Sequence, residues 1–230
     1  MLINQLQLYT GKLEEQHYFY NRVLGLELLE KETDSFLLKA GHSKLRFIKS
    51  EQNCYYHFAF NIPSFQSREA LQWLKERVEI LKDENGNEIV GFVNWNAEAI
   101  YFLDSSGNIV EFIARKNLEL SCAEKFSSKS IFGISEIGLP TEDVAATFHL
   151  LKHQIAQALP RGRTLQKYWG NFENFCAAGD EQGLFIIVNQ RKKLWYPTQT
   201  PALPFPFQLG FSIAENSFQL TFDGLSISFQ

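Results

Sequence analysis

Alternation of apolar and polar positions, followed at once by apolar positions at helical spacing, occurs three times along the chain. The first instance, NQLQLYTGKLEEQHYFYNRVLGLEL, sets Leu6 and Leu8 on one strand face and Gln5, Gln7 and Tyr9 on the other. Leu13, Tyr20, Val23 and Leu24 then form a helical stripe, with Gly25 where a C-terminal cap belongs. Three strand-like runs follow: LELLEKE, SFLLKAG and KLRFIKS. The second instance, YYHFAFNIPSFQSREALQWLKERV, puts His57, Ala59 and Asn61 on one strand face, offers Ser64 as a cap, and continues into a stripe of Ala70, Leu71, Leu74 and Val78. The runs EILKD, EIVGFVNW, AIYFLD and NIVEFIAR come after it, and Asn85-Gly86 and Ser106-Gly107 are signals of tight turns. In the third, ISEIGLPTEDVAATFHLLKHQIAQAL, Thr141 is placed to cap a stripe of Val144, Phe148, Leu151 and Ile155, and strands are expected near NFCAAGD and GLFIIVNQ.

The last stretch, PFQLGFSIAENSFQLTFDGLSISFQ, reads as three strands without a helix, a fourth unit that has lost one element. Strand-helix-strands units of about 50–60 residues are fixed-period repeats. Strand runs joined by hairpin-length turns argue against a parallel βαβ fold. They predict an α+β architecture in which repeated βαβββ modules form cupped mixed sheets with helices on the outside. The polar stretch 117–130 (NLELSCAEKFSSKS) has no clear periodicity and marks a boundary. Two paired-module domains are therefore expected, 1–116 and 131–230, the second degenerate.

Composition narrows the function classes. The chain has 230 residues, a net charge of −4, and 21 Phe among its 14% aromatic residues, which suits sheet cores and concave pockets. Lys and Arg are scattered, without the basic stripe that a nucleic-acid partner requires. The one cationic run, Arg191-Lys192-Lys193, reads as a solvated turn. Cys54, Cys122 and Cys176 are odd in number and widely spaced, the usage of reduced thiols. No run of about 18 apolar residues is present, so no membrane span is expected, and the N-terminal stretch lacks the regions of a signal peptide. A cytoplasmic location is the expectation.

The runs FYNRVLGLEL and YFLDSSGNIVEF resemble the FYxxxLGxxx and YFxDPxGNxxE signatures of the vicinal oxygen chelate superfamily, which groups glyoxalases, bleomycin-resistance proteins and extradiol dioxygenases. The match is specific over residues 1–116 and weaker over 131–200, where it rests on GLPTED and GDEQGLFIIV. The resemblance implies paired modules that form a cup, with metal ligands on the first strand of each module and the last strand of the second. Carried over residue by residue, it implies Gln5, His57 and Glu111 as ligands of a divalent ion (Zn²⁺, Ni²⁺, Mn²⁺ or Fe²⁺), with Glu111 also available as a base. Three protein ligands leave positions open for water and a bidentate oxygen substrate. Strand parity adds Tyr9, Asn61 and Trp95 as substrate-binding candidates, and Arg46 joins them as a cation whose planar fork could bind a substrate carboxylate or phosphate.

Two departures qualify the resemblance. Arg46 or a neighbour stands where the glyoxalase I pattern has a fourth ligand, Glu, and Gln5 stands where dioxygenases and fosfomycin-modifying relatives carry His. A lyase or isomerase is therefore favoured over a ring-cleaving dioxygenase. In the third unit, Glu136 falls at the position of Gln5 and His57, while alignment on Gly183 and Gly107 sets Ile187 opposite Glu111, so a second complete metal site is not expected there. His149 and His153, at i, i+4, lack the acidic residue of an H-E-x-x-H motif and read as an ordinary helix face. His42, in a Gly-His-Ser turn, reads as solvated. The competing reading is a protein without metal that sequesters small molecules in the same cup, using His57, Glu111 and Arg46 as polar contacts. Four modules in one chain suit either a monomer or a homodimer.

Overall fold

The computed structural model describes residues 1–160 and 162–229. Module one comprises β1 (Leu2–Thr10), α1 (Leu13–Tyr18, continued by a π-turn over Phe19–Val23), β2 (Glu27–Lys31), β3 (Ser35–Ala40) and β4 (Ser43–Lys49). Module two comprises β5 (His57–Asn61), α2 (Ser67–Lys75), β6 (Ile80–Leu81), β7 (Val90–Phe92), β8 (Ala97–Leu103) and β9 (Ile109–Arg115). Module three comprises β10 (Gly133–Thr141), α3 (Val144–Ala158), β11 (Lys167–Asn171), β12 (Phe175–Asp180) and β13 (Gly183–Asn189). A two-stranded ribbon, β14 (Leu194–Trp195) with β15 (Thr200–Pro201), precedes module four: β16 (Phe207–Ile213), β17 (Asn216–Phe222) and β18 (Ile227–Phe229). The α+β class and the modular repeat are as expected. Among the described residues no helix is long and apolar enough to cross a membrane.

The modules do not pair in chain order. One sheet runs β18-β17-β16-β1-β4-β3-β2, and the other β11-β12-β13-β10-β5-β9-β8-β6, with β7 also on β8. β1 is antiparallel to β16 and β5 is antiparallel to β10, so module one joins module four and module two joins module three. This corrects the expected division into 1–116 and 131–230, because each half of the chain contributes one module to each sheet. The reason lies in residues 117–130, which fold back along β5 instead of leading away from it. Leu120 N–H donates to Ser64 Oγ (2.8 Å) and Phe132 N–H to the carbonyl of Asn61 (2.9 Å). β10 is thereby delivered to the free edge of β5.

In modules one to three the last strand returns parallel to the first: β4 on β1, β9 on β5, β13 on β10. A parallel neighbour requires a crossover of a dozen or more residues, here containing the helix. Module four has no helix, and β16-β17-β18 is accordingly an antiparallel meander.

Strand parity divides each sheet. Leu6 and Leu8 of β1, Phe58 and Phe60 of β5, Phe112 of β9 and Leu139 of β10 join one continuous core with the stripes of α2 and α3. Ala59, Tyr101, Ile113 and Ile186 form a separate cluster on the opposite face of the second sheet. Two helix starts differ from expectation. Asp143, not Thr141, caps α3, because its carboxylate accepts from Ala146 N–H at 2.9 Å. Ser64 lies ahead of α2 and donates to the carbonyl of Arg115 (2.7 Å).

The turn DSSGN between β8 and β9 ties module one to module two. The buried carboxylate of Asp104 accepts from Gln16 Nε2 (2.7 Å), Tyr20 Oη (2.7 Å) and Asn108 Nδ2 (2.6 Å), and from the backbone N–H groups of Ser106 (2.9 Å) and Asn108 (3.0 Å). Stranding several buried donors costs about 1–3 kcal/mol for each group left without an acceptor. Asp104→Ala is expected to lower the free energy of unfolding by about 3 kcal/mol or more, measured by urea denaturation. A loss under about 0.5 kcal/mol, the size of an ordinary surface substitution, would show that this network does not join the modules.

Candidate metal and ligand site

The seam between β5 and β10 is also where the polar side chains of the second sheet converge. Ala59 pairs with Glu111 on one side and Glu136 on the other, and His57 is the next residue of β5 on the same face. The small methyl of Ala59 leaves the space that the two carboxylates and the imidazole occupy. The register of β10 shifts between Ile134 and Glu136, a bulge that brings Glu136 instead of Ser135 opposite Ala59. One donor atom from each of His57, Glu111 and Glu136 lies within 4.8 Å of the others.

All three are buried: His57 is 7%, Glu111 3% and Glu136 2% exposed. His57 Nδ1 contacts the carbonyl of Ile109 at 3.2 Å, a bond it can make only as the Nδ1–H tautomer, which leaves Nε2 bare. Nε2 faces Glu111 Oε2 at 3.5 Å and Glu136 Oε2 at 4.0 Å. Burial pushes the imidazole down to about 4, against the opposing pull of the Ile109 carbonyl. Burial holds Glu111 well above the usual carboxylate range, reinforced by the charge of Glu136 and opposed by Arg115 and the hydroxyl of Tyr101. Burial raises Glu136 as well, while its ion pair with the fully buried Arg115 pulls the other way.

Above this group lies a cavity of about 290 Å³. Trp195 and Tyr196 of the β14-β15 ribbon close one side, the Trp195 ring centroid lying 5.2 Å from that of His57. Trp195 lies against Gly138, where even a methyl group would come within 2.6 Å of the indole. Another wall is aromatic: Trp95 stacks on Phe175 (6.5 Å, 21°), meets Tyr168 edge to face (5.3 Å) and lies under the guanidinium of Arg115 (5.2 Å), with the half-exposed Trp169 also in the lining.

Of the residues singled out in the sequence, His57, Glu111 and Trp95 line this cavity. Asn61 is on the same sheet face, buried, with Nδ2 donating to the carbonyl of Glu181 (3.2 Å), and does not line it. Gln5, Tyr9 and Arg46 belong to the other sheet and do not line it either. This corrects the expected set: Gln5 is not brought to His57 and Glu111, because β1 pairs with β16 and not with β5. Arg46 is engaged with Glu30 at 2.5 Å and with Ser35 Oγ at 3.2 Å. Glu136 was visible in the sequence only as a relic of the repeat, since nothing local showed that module three pairs with module two. The residue of β13 matching Glu111 is Ile186, which pairs with Gly138, and not the expected Ile187, which is turned into the core. In either register an isoleucine stands there.

The equivalent place in the first sheet has different chemistry. There Gln7 pairs with Arg46 and Gln208, and Gln5 occupies the position of His57. A cation and three amides offer no anionic ligand.

No protein-family profile matches the chain, and no curated protein matches it in sequence. Solved structures do match. The whole chain aligns with 69% of a putative dioxygenase from Bacillus subtilis, at 14% identity and a TM-score of 0.58. Half of the chain (50%) aligns with 94% of a lactoylglutathione lyase from Agrobacterium tumefaciens, at 21% identity and a TM-score of 0.41. A glyoxalase/bleomycin resistance protein/dioxygenase from Alicyclobacillus acidocaldarius aligns over 52% of this chain and 96% of its own, at 18% identity and a TM-score of 0.42. At these identities the likeness is one of fold.

The depressed affinity of His57 for protons is directly measurable. Its imidazole C–H resonances are expected to titrate near 4 and not near 6.5. The unfolded chain takes up this proton first, so the stability contributed by neutral His57 is full above pH 6.5 and falls as the pH drops from 6.5 towards 4. A midpoint near 6.5 in the NMR titration would show that the ring is solvated.

Proposed function

We propose that this chain, which has the fold of the vicinal oxygen chelate superfamily, holds a divalent metal through His57 Nε2, Glu111 and Glu136 and acts as a lyase or isomerase on a small oxygen-rich substrate. The observation that carries the reading is the convergence of one bare imidazole nitrogen and two buried carboxylates within 4.8 Å in the lining of a cavity. The donor set fits such an ion. A neutral imidazole, two carboxylates and the guanidinium of Arg115 sum to one net negative charge when both acids are ionised, and burying that charge unpaired is costly. Imidazole and carboxylate oxygen together suit borderline divalent ions such as Zn²⁺, Mn²⁺, Fe²⁺ and Ni²⁺. When bound, the ion would supply Lewis acidity to a substrate presenting two adjacent oxygens.

The protein's own groups divide the remaining work. Glu136 is anchored by Arg115 and holds its position. Glu111 is hydrogen-bonded by the hydroxyl of Tyr101 directly across the strand pair. Its raised proton affinity suits a base that takes a substrate proton at a carboxylate oxygen and returns it to a neighbouring atom. Trp195 and Tyr196 cover the group and keep bulk water from it.

A second reading, a cup that sequesters a planar ligand without metal, is favoured by the Arg115–Glu136 ion pair, which already satisfies one carboxylate. Metal titration by calorimetry separates the two. The parent is expected to bind about one equivalent of Zn²⁺ or Mn²⁺. Glu111→Ala and Glu136→Ala are each expected to weaken binding by about 10- to 100-fold or more, a range typical of losses around a metal site, and Gln5→Ala to leave it unchanged. If the parent binds no divalent ion, or Glu136→Ala binds as well as the parent, the metal reading falls. Retention of a planar ligand unaffected by EDTA would then favour sequestration.

A further inference from the structure

The cationic run Arg191-Lys192-Lys193 is not a uniformly solvated turn. Asn189 Oδ1 accepts from the backbone N–H groups of Arg191 (3.0 Å) and Lys192 (3.2 Å), and the Asn189 carbonyl accepts from Lys193 N–H (2.9 Å). That fixed turn sends the three side chains to different places. Arg191 pairs with Glu142, and Lys192 pairs with Glu173 at 3.2 Å, both on the surface. Lys193 enters the lining of the cavity, where it is the one lysine or arginine among the lining residues. No carboxylate lies within 4.0 Å of its ammonium among the described residues, although acidic partners satisfy its two neighbours. Its Nζ instead stands 5.1 Å from the ring centroid of Phe175, the ring on which Trp95 stacks. Arg115, the other cation nearby, is fully buried and bound to Glu136, so it is not presented to a ligand in the cavity.

The cavity lining therefore holds two unlike polar features: the buried group of His57, Glu111 and Glu136, and the half-buried ammonium of Lys193, without a carboxylate partner and beside the ring of Phe175. We propose that Lys193 is a specificity determinant that selects planar ligands carrying an anionic group, such as a carboxylate. The aromatic walls define the plane of the ligand, and Lys193 supplies the counter-charge to the anion. The partial burial of Lys193 reduces the screening that an ammonium in open solvent would meet. The inference rests on the cavity being the ligand site, and the experiment keeps the two claims apart.

The test uses the full-length protein with Zn²⁺ added and two probes of the same shape, 3,4-dihydroxybenzoate and the neutral 3,4-dihydroxybenzamide, followed by calorimetry and by quenching of tryptophan fluorescence. The parent is expected to prefer the carboxylate by about fivefold, the size of a partly screened pair. Lys193→Met is expected to abolish the preference while binding the amide as before, and Lys193→Arg to retain most of it. Equal affinities in the parent, or a preference that survives Lys193→Met, would overturn the role of Lys193 and leave the ligand site standing. If the parent binds neither probe, the ligand-site reading fails, and the proposal for Lys193 fails with it.

Discussion

The antiparallel seam between β5 and β10 carries the structural weight of the candidate site. Its four register pairs do more than join two sheet halves there. They put a histidine from one module and a glutamate from another on one face, with Ala59 in the strand position between Glu111 and Glu136. A one-residue slip would rotate the whole set, since strand faces alternate. The bulge at Ile134–Glu136 is such a slip, confined to one strand, and it is what exchanges Ser135 for Glu136. β1 shifts register in the same way between Ile3 and Gln5, so the device belongs to the repeat, and only the residues that occupy it differ between the sheets.

Those occupants explain why one sheet offers a site and the other does not. In the second sheet two acids and an imidazole are buried together, a placement that costs stability unless charge is neutralised. Arg115 offsets part of that cost through Glu136, and burial suppresses the rest by keeping His57 neutral and raising Glu111. In the first sheet the corresponding positions hold Arg46, Gln5, Gln7 and Gln208, which need no buried counter-charge. The repeat thus keeps one chemically demanding location, and the other sheet serves as scaffold.

The connection from module three to module four has a consequence at the same place. Residues 190–206 run across the second sheet before β16 begins. They supply Lys193, Trp195 and Tyr196, which bound the cavity, and Trp195 packs where Gly138 leaves the sheet bare. The mixed polar character of the cavity follows from this segment: the acids come from the modules, and the ammonium and the covering rings come from the connection between them.

Much of this was legible in local pattern. The modules, the strand faces and the turn at DSSGN follow from periodicity and spacing. The resemblance to the vicinal oxygen chelate signatures implied His57 with Glu111, which adjoin because a first strand and its parallel return are neighbours within the same unit. The tertiary structure decided which modules pair. That choice depends on where residues 117–130 lead the chain and on which strand edges are left free, and neither is written in the periodicity of a single segment. Gln5 and Glu136 occupy equivalent positions in their modules, so sequence alone could not rank them. Pairing β5 with β10 brought Glu136 to His57 and left Gln5 on the other sheet. The same holds for Lys193. Its charge was plain in the sequence, but its separation from Arg191 and Lys192 exists only once the Asn189 turn is folded against the cavity.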